Sequence, residues 1–291
     1  MKVPTLITIL TFFSSLGYSQ NSDSAYTGKR IVPWFVERFK ISAGFFYVVN
    51  KTNIQVEVIG SDGTEIDAEK DFGLNKEVGT FLANIQWRIS SRSRINLSYY
   101  RINRSSEHKL KQDIIFEDNT YPANSVVDTY FNTTIYQFSY GYAIFSKPKY
   151  ELGLLIGTHV VGSKAGITLV GSNAGVSQNN NFGITAPIPD LGIWGGFALS
   201  NRFAINFDAD YLSLTVNDNT GRVLSTDLTF TYRIIDKLDL SLGYAGLNFK
   251  ANATKGDVAG KFKWGYNGPA IAANFSFGKN SWGHLKSSSS Y

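Results

Sequence analysis

The stretch Phe81-Leu-Ala-Asn-Ile-Gln-Trp-Arg-Ile89 changes character at every residue. Phe81, Ala83, Ile85, Trp87 and Ile89 fall on one face of an extended chain, and Asn84, Gln86 and Arg88 on the other. The same period of two returns along most of the chain. Tyr136, Phe138, Tyr140, Tyr142 and Ile144 alternate with Gln137, Ser139, Gly141 and Ala143. Phe203, Ile205, Phe207, Ala209 and Tyr211 alternate with Asn206, Asp208 and Asp210. Leu228, Phe230, Tyr232 and Ile234 alternate with Asp227, Thr229, Thr231 and Arg233. A period of two excludes amphipathic helices and predicts strands with one apolar and one polar face.

The segments read as ten strands, at 38–59, 64–89, 94–117, 126–145, 150–170, 182–199, 203–216, 222–234, 238–250 and 260–277. Short connections (90–93, 146–149, 200–202, 235–237) alternate with longer polar ones (around 118–126, 171–181, 216–222 and 251–260). Short turns on one rim and long loops on the other are the pattern of an outer-membrane barrel. Aromatic residues beside the short turns, Trp87, Tyr142, Tyr150, Phe203 and Tyr232, suit an interfacial girdle. Several segments exceed the ~10 residues that cross a bilayer when tilted. The expected fold is all-β: an antiparallel, transmembrane, up-and-down, porin-like barrel of about ten strands. Eight is the alternative, if the first long hairpin lies outside the membrane.

Residues 1–19 read as a signal peptide: Lys2, an apolar run from Val3 to Leu16, and small residues Gly17 and Ser19 before a cut. Residues 20–37 read as a leader, 38–277 as the barrel, and 278–291 as a Ser-rich tail. The 291 residues contain no cysteine, which removes disulfides, thiol nucleophiles and thiolate metal sites. The net charge of +5 is not gathered into a basic, aromatic stripe, so nucleic acid is not an expected partner.

With its closing strand Gly268–Phe277, the chain resembles the small outer-membrane β-barrels of Gram-negative bacteria. The stretch Gly63–Leu74, with Ile95–Arg104 and Tyr136–Phe145, is similar to an uncharacterised branch of them. The resemblance implies no established activity. It implies residence in the outer membrane among lipid and lipopolysaccharide, insertion by the barrel-assembly machinery, a monomer, and no cofactor.

Catalytic patterns are sparse. An omptin-like protease, which also resembles a ten-stranded barrel, would need an Asp-His arrangement at the outer rim, and no Asp-x-His occurs. A lipid-modifying site would pair His with Ser. His159 and Ser163 share a strand face but stand ~13 Å apart at strand rise. His108 lies in a charged strand end and His284 in the tail. No catalytic residue is expected.

The inward polar set carries more information. Arg88, Glu151, Asp208, Asp210, Asp227 and Arg233 should line the lumen, with Asp239 beside them. Unpaired charges there are costly unless water reaches them. They either pair and plug the barrel or line a narrow passage for small solutes or ions, which their acidic surplus would make cation-preferring. The passage is the first expectation. A structural or surface-binding (adhesion-type) barrel with a closed lumen is the second, and a barrel enzyme the third.

Four acids, Glu65, Asp67, Glu69 and Asp71, occupy alternate positions. If the strand is continuous they share one face above the bilayer, as a wet surface or a weak cation site. A turn at Ser61-Asp62-Gly63 would set Asp67 opposite Glu57, Glu69 opposite Gln55, and Ile66 opposite Val58.

Overall fold

The computed structural model describes residues 30–58, 64–116, 119–170, 179–216, 219–255 and 258–284. The signal peptide, the Ser61-Asp62-Gly63 turn and the last seven residues of the tail lie outside the described residues. Fifteen strands and one helical turn follow in chain order: β1 (Ile31–Val32), β2 (Phe39–Val58), β3 (Thr64–Asp67), α1 (Ala68–Asp71), β4 (Glu77–Arg88), β5 (Ser93–Lys109), β6 (Ile114–Phe116), β7 (Asn119–Tyr121), β8 (Val126–Ser146), β9 (Tyr150–Val170), β10 (Asn179–Ala198), β11 (Phe203–Val216), β12 (Asn219–Ile235), β13 (Leu238–Lys255), β14 (Val258–Phe277) and β15 (Gly283–His284).

Ten of these close a ring in the order β2-β4-β5-β8-β9-β10-β11-β12-β13-β14, and β14 pairs back onto β2. All ring pairings are antiparallel, with next-neighbour connections. The ten-strand reading holds and the eight-strand alternative falls. The hairpin β6-β7 stands apart from the ring, and β3 pairs only with the outer part of β2.

The apolar faces point outward. Phe81, Leu154, Leu191, Phe203, Leu242 and Phe275, from six strands, are each more than half exposed. A continuous apolar belt of this kind is untenable in water and is the lipid contact of a barrel. Its edge beside the short turns is aromatic and locally stacked. Phe39 lies between Trp87 (centroids 6.2 Å apart) and Phe277 (5.2 Å), Tyr150 stacks on Phe197 (5.9 Å), and Phe203 meets Tyr232 (4.7 Å). The short turns therefore mark the periplasmic rim.

Two expectations need correction at the outer rim. The polar stretches at 216–222 and 251–260 are mostly paired strand, not loop: Val216 pairs with Asn219 and Lys255 with Val258. Beyond the bilayer both faces of a strand can be wet, so polarity there does not end the ladder. The segment 64–89 is not one strand either. After β3 the chain makes the single turn α1, with the Asp67 side chain accepting from Lys70 N (3.0 Å) as its N-cap. Gly73, at φ +66°, ends it in the left-handed region. Asp67 pairs with Asn53 and Ile66 with Ile54, four residues along from the expected register. A shift of four preserves face parity, so Ile66 still turns inward.

Closure depends on close backbone approach at the β2–β14 seam. A Cβ on Gly268 would stand 1.8 Å from the Tyr47 carbonyl oxygen, and one on Gly44 would stand 2.0 Å from that of Ile271. Both glycines are required by contact, not by turn geometry. Gly268→Ala is expected to block seam closure and abolish the heat-modifiable folded band in electrophoresis. Gly221→Ala, where an added Cβ meets nothing within 4 Å, is expected to leave that band intact.

Candidate lumenal site

The inward faces build distinct layers from the periplasmic rim outward. The first is a cap. Val32, Trp34, Phe35, Val36 and Trp282 pack with Ala204 into one buried cluster. Segments before and after the barrel meet here, through the parallel pairing of β1 with β15. Trp34 Nε1 donates to the Ser200 carbonyl (2.8 Å), and Trp282 Nε1 to that of Val36 (3.1 Å). Glu37 sits among His284 Nε2 (3.4 Å), Asn280 Nδ2 (2.9 Å) and Arg233 (3.8 Å). Burial pushes the Glu37 carboxyl up, but the His284, Asn280 and Arg233 contacts outweigh it and hold the group below its ordinary value. Arg233 also reaches Asp239 (3.4 Å), donates to the Trp34 carbonyl (2.9 Å) and lies 4.2 Å from the Trp34 ring centre. Arg233 thus serves the cap and does not line the cavity beyond it.

Above the cap lies a charged layer. Arg88 makes a two-pronged pair with Glu151, both nearly inaccessible. Arg94 pairs with Asp208. Both guanidinium groups lie against Trp194, with Arg94 at 3.7 Å and Arg88 at 5.3 Å from its ring centre. Its Nε1 donates to the Leu154 carbonyl (3.1 Å). Gly141 and Gly153 leave room for it, since a Cβ at either would lie 2.7 Å from that nitrogen.

A polar cavity of about 310 Å³ occupies the middle of the barrel. Arg88, Glu151, Asp208, Asp210 and Asp227 all line it, together with Arg94 and Lys40. Asp227 stands directly across the ladder from Asp208 and accepts from the Thr229 hydroxyl (2.7 Å). Asp210 is 2% exposed, and among the described residues its Oδ1 is buried with no hydrogen-bond partner. Beside it, Asp190 Oδ2 meets His159 Nδ1 at 2.7 Å, while its Oδ1 is buried without a partner.

The outer end is closed by side chains. Tyr100 and Tyr266 join hydroxyls across the lumen, with Phe46 against both rings. Beyond them Ile102, Phe131, Ile135, Val223, Leu247 and Trp264 form one apolar cluster with Ala68, Phe72 and Leu74 of the inserted turn. A single ion pair is embedded there. Arg104 meets Glu69 (2.5 Å) and Thr52 Oγ1 (2.7 Å), and Glu69 Oε2 also accepts from Thr52 N (2.9 Å).

The four acids of the first outer hairpin are thereby separated. Glu65 is exposed on β3 and Asp67 caps α1. Asp71 accepts from Asp67 N (2.8 Å), and Glu69 turns inward. One helical turn rotates alternate residues apart, so the shared acidic face does not exist. Among the described residues no three His, Asp or Glu side chains converge as a metal-binding group. His159 finds Asp190, not Ser163, whose hydroxyl lies 3.4 Å from that of Thr133.

Sequence reasoning placed five cavity residues and missed Lys40 and Arg94, which line the cavity too, and Asp190, which is buried at His159 outside its lining. A signal existed for two of them. Arg94 shares parity with Asn96 and Ser98, and Asp190 alternates with outward Leu191. The cap left no comparable signal, because it joins segments far apart in sequence through irregular backbone.

No family model and no curated protein sequence matches this chain. Among solved structures it aligns with the outer membrane protease OmpT from Escherichia coli at 11% identity and TM-score 0.50, over 82% of this chain and 97% of that one. It also aligns with Ail, the attachment invasion locus protein of Yersinia pestis, at 14% identity and TM-score 0.30, over 80% and 99%. A third is the toluene transporter TodX of Pseudomonas putida, at 9% identity and TM-score 0.35, over 83% and 91%. At these identities the likeness is one of fold. The chain resembles the small outer-membrane β-barrels of Gram-negative bacteria, and with its apolar belt it is a protein of the bacterial outer membrane.

The buried Arg88–Glu151 pair is expected to cost more when halved than when removed whole. Glu151→Ala should destabilise by about 3–5 kcal/mol, because it strands a buried guanidinium. Arg88→Met with Glu151→Leu should recover most of that loss, measured by urea unfolding of refolded protein.

Proposed function

We propose that this chain is a non-enzymatic, non-conducting outer-membrane barrel that acts through the surface it presents outside its closed lumen. One observation carries this reading. Ile102, Ile135, Val223 and Leu247, from four different ring strands, meet inside the barrel at 1%, 0%, 0% and 0% exposure. The outer lumen is packed like a protein core, so water has no column to follow. The non-enzymatic half is supported by the histidines. His159 is buried and pairs through Nδ1 with Asp190 Oδ2 (2.7 Å), and among the described residues the His108 Nε2 is buried without a hydrogen-bond partner. In planar bilayers the refolded chain is expected to give no steady conductance. Steady cation-selective current would favour the second reading, a narrow passage, for which the acid-lined cavity speaks.

The outward surface carries a candidate partner site. Arg222 on β12, Lys250 on β13 and Lys263 on β14 stand in one row, each paired directly with the next across the ladder. All three are exposed and none has an ion pair among the described residues. Like charges so placed repel. The lipid belt begins two residues below Arg222, at Leu224, but six residues below Lys250, at Tyr244, and eight below Lys263, at Ile271, so the row stands clear of the hydrocarbon. The chemistry that relieves this row, outside the hydrocarbon, is phosphate, as borne by lipopolysaccharide in the outer leaflet. Vesicles of phosphorylated glycolipid are expected to raise the unfolding midpoint above that in dephosphorylated glycolipid. In Lys250→Gln/Lys263→Gln that difference should vanish, and a difference retained there would overturn the assignment.

A further inference from the structure

The charge inside the barrel does not balance. Glu151, Asp208, Asp210 and Asp227 line the space between the cap and the Tyr100–Tyr266 layer, and Asp190 and Asp239 are buried inside the ring outside that lining. Against them stand Lys40, Arg88, Arg94 and Arg233, with His159 at Asp190. Arg88 is committed to Glu151, Arg94 to Asp208, and Arg233 to Asp239 and Glu37. Lys40 Nζ donates to the Phe35 carbonyl (3.2 Å) at the cap end. No base is left for Asp210.

Asp210 is the sharpest case. It is 2% exposed, its Oδ1 is buried without a hydrogen-bond partner, and among the described residues it has no ion pair. Three further carboxylates surround it. Asp208 lies two residues along the same strand face, Asp227 stands across from Asp208, and Asp190 lies diagonally on β10, whose Gly192 is the direct partner of Asp210. Gly192 makes way for it, since a Cβ there would stand 2.2 Å from Asp210 Oδ1. A polar cavity of about 310 Å³ opens beside it, with Asp208 and Asp227 also in its wall. An ionised carboxylate buried without a partner is too costly to persist, and the three acids around it make the cost greater.

We propose that Asp210, with Asp208 and Asp227, forms a lumenal site for a small inorganic cation that keeps part of its water. The cavity has ample room for an ion and several waters. The ligand set suits a loosely held monovalent ion such as sodium or potassium. Among the described residues no three His, Asp or Glu side chains converge as a metal-binding group, so an ion beside Asp210 keeps most of its water. The cation supplies the positive charge that the strands omit, in the manner of a counter-ion bound by the folded state alone. The site needs no open passage, so its failure would leave the closed-lumen reading untouched, and conductance would leave this site untouched.

The test uses the full chain refolded in detergent at fixed pH and ionic strength. Sodium chloride, potassium chloride and N-methylglucamine chloride are compared as the only salts. The unfolding midpoint is expected to rise with sodium or potassium above its value in the bulky organic cation, and Asp210→Asn is expected to lose that dependence. Should Asp210→Asn fail to fold, Asp227→Asn carries the test, with a weakened dependence expected. Equal midpoints in the three salts would overturn the site, as would an unchanged dependence in the folded variants. A wild type indifferent to the salt, but with a pH dependence that Asp210→Asn removes, would mean that a proton alone occupies Asp210, and would equally overturn it.

Discussion

In a bilayer every backbone donor and acceptor must find its partner within the protein, and for strands that means a ring without an edge. The β2–β14 pairing is the bond set on which the rest depends. It runs from Phe39 opposite Phe277 to Val58 opposite Val258, nearly the full length of both strands. Once the ring is closed, the alternation of side chains divides the molecule into a lipid-facing belt and an enclosed interior. Everything inside then follows the rules of a protein core, including its intolerance of unpaired charge. The glycines at the seam show how tightly closure is drawn, since neither Gly44 nor Gly268 has room for a methyl group.

The interior solves its charge problem unevenly. At the outer end it needs almost no charge, because Phe46, Phe131, Trp264 and the inserted Phe72 fill the space. Arg104 and Glu69 are admitted there as a pair, with Thr52 bonded to both. Nearer the periplasm, ten strands enclose more space than these side chains fill, and charged groups with long stems take over. Arg88 and Arg94 reach inward from neighbouring strands β4 and β5, and both lie against the ring of Trp194 from β10. Such a network fixes which groups meet, since each arginine has one carboxylate in reach of its fork.

The ring, its outward belt and the parity of the lumen residues were legible in the sequence because each is a local property of alternation. Arg88, Glu151, Asp208, Asp210 and Asp227 were placed inside by parity alone, and all five line one cavity. Pairing was not legible, because Arg94 and Asp208 are 114 residues apart and meet across the lumen. The alternating acids from Glu65 to Asp71 imitated a strand face, and local capping by Asp67 overrode the imitation. A short helical turn of this kind leaves only weak signs, here Asp67 before Ala-Glu-Lys and Gly73 after. The polar segments beyond Leu224 and Leu247 read as loops because polarity was taken to end a strand. Outside the membrane it does not, since the ladder continues wherever the backbones still pair.

The cap changes what the leader and tail mean. Regions flanking a barrel need no order to satisfy the barrel's own hydrogen bonds. Here Trp34 and Trp282 are nevertheless buried, each spending its indole N–H on a carbonyl, one on Ser200 of a periplasmic turn and one on Val36. The Arg233 guanidinium ties this cluster to Asp239 inside the ring, and Glu37 ties it to His284 beyond the last ring strand. The acid-lined chamber is thus bounded on one side by a core that forms with the ring and on the other by segments that can dock only once the ring exists.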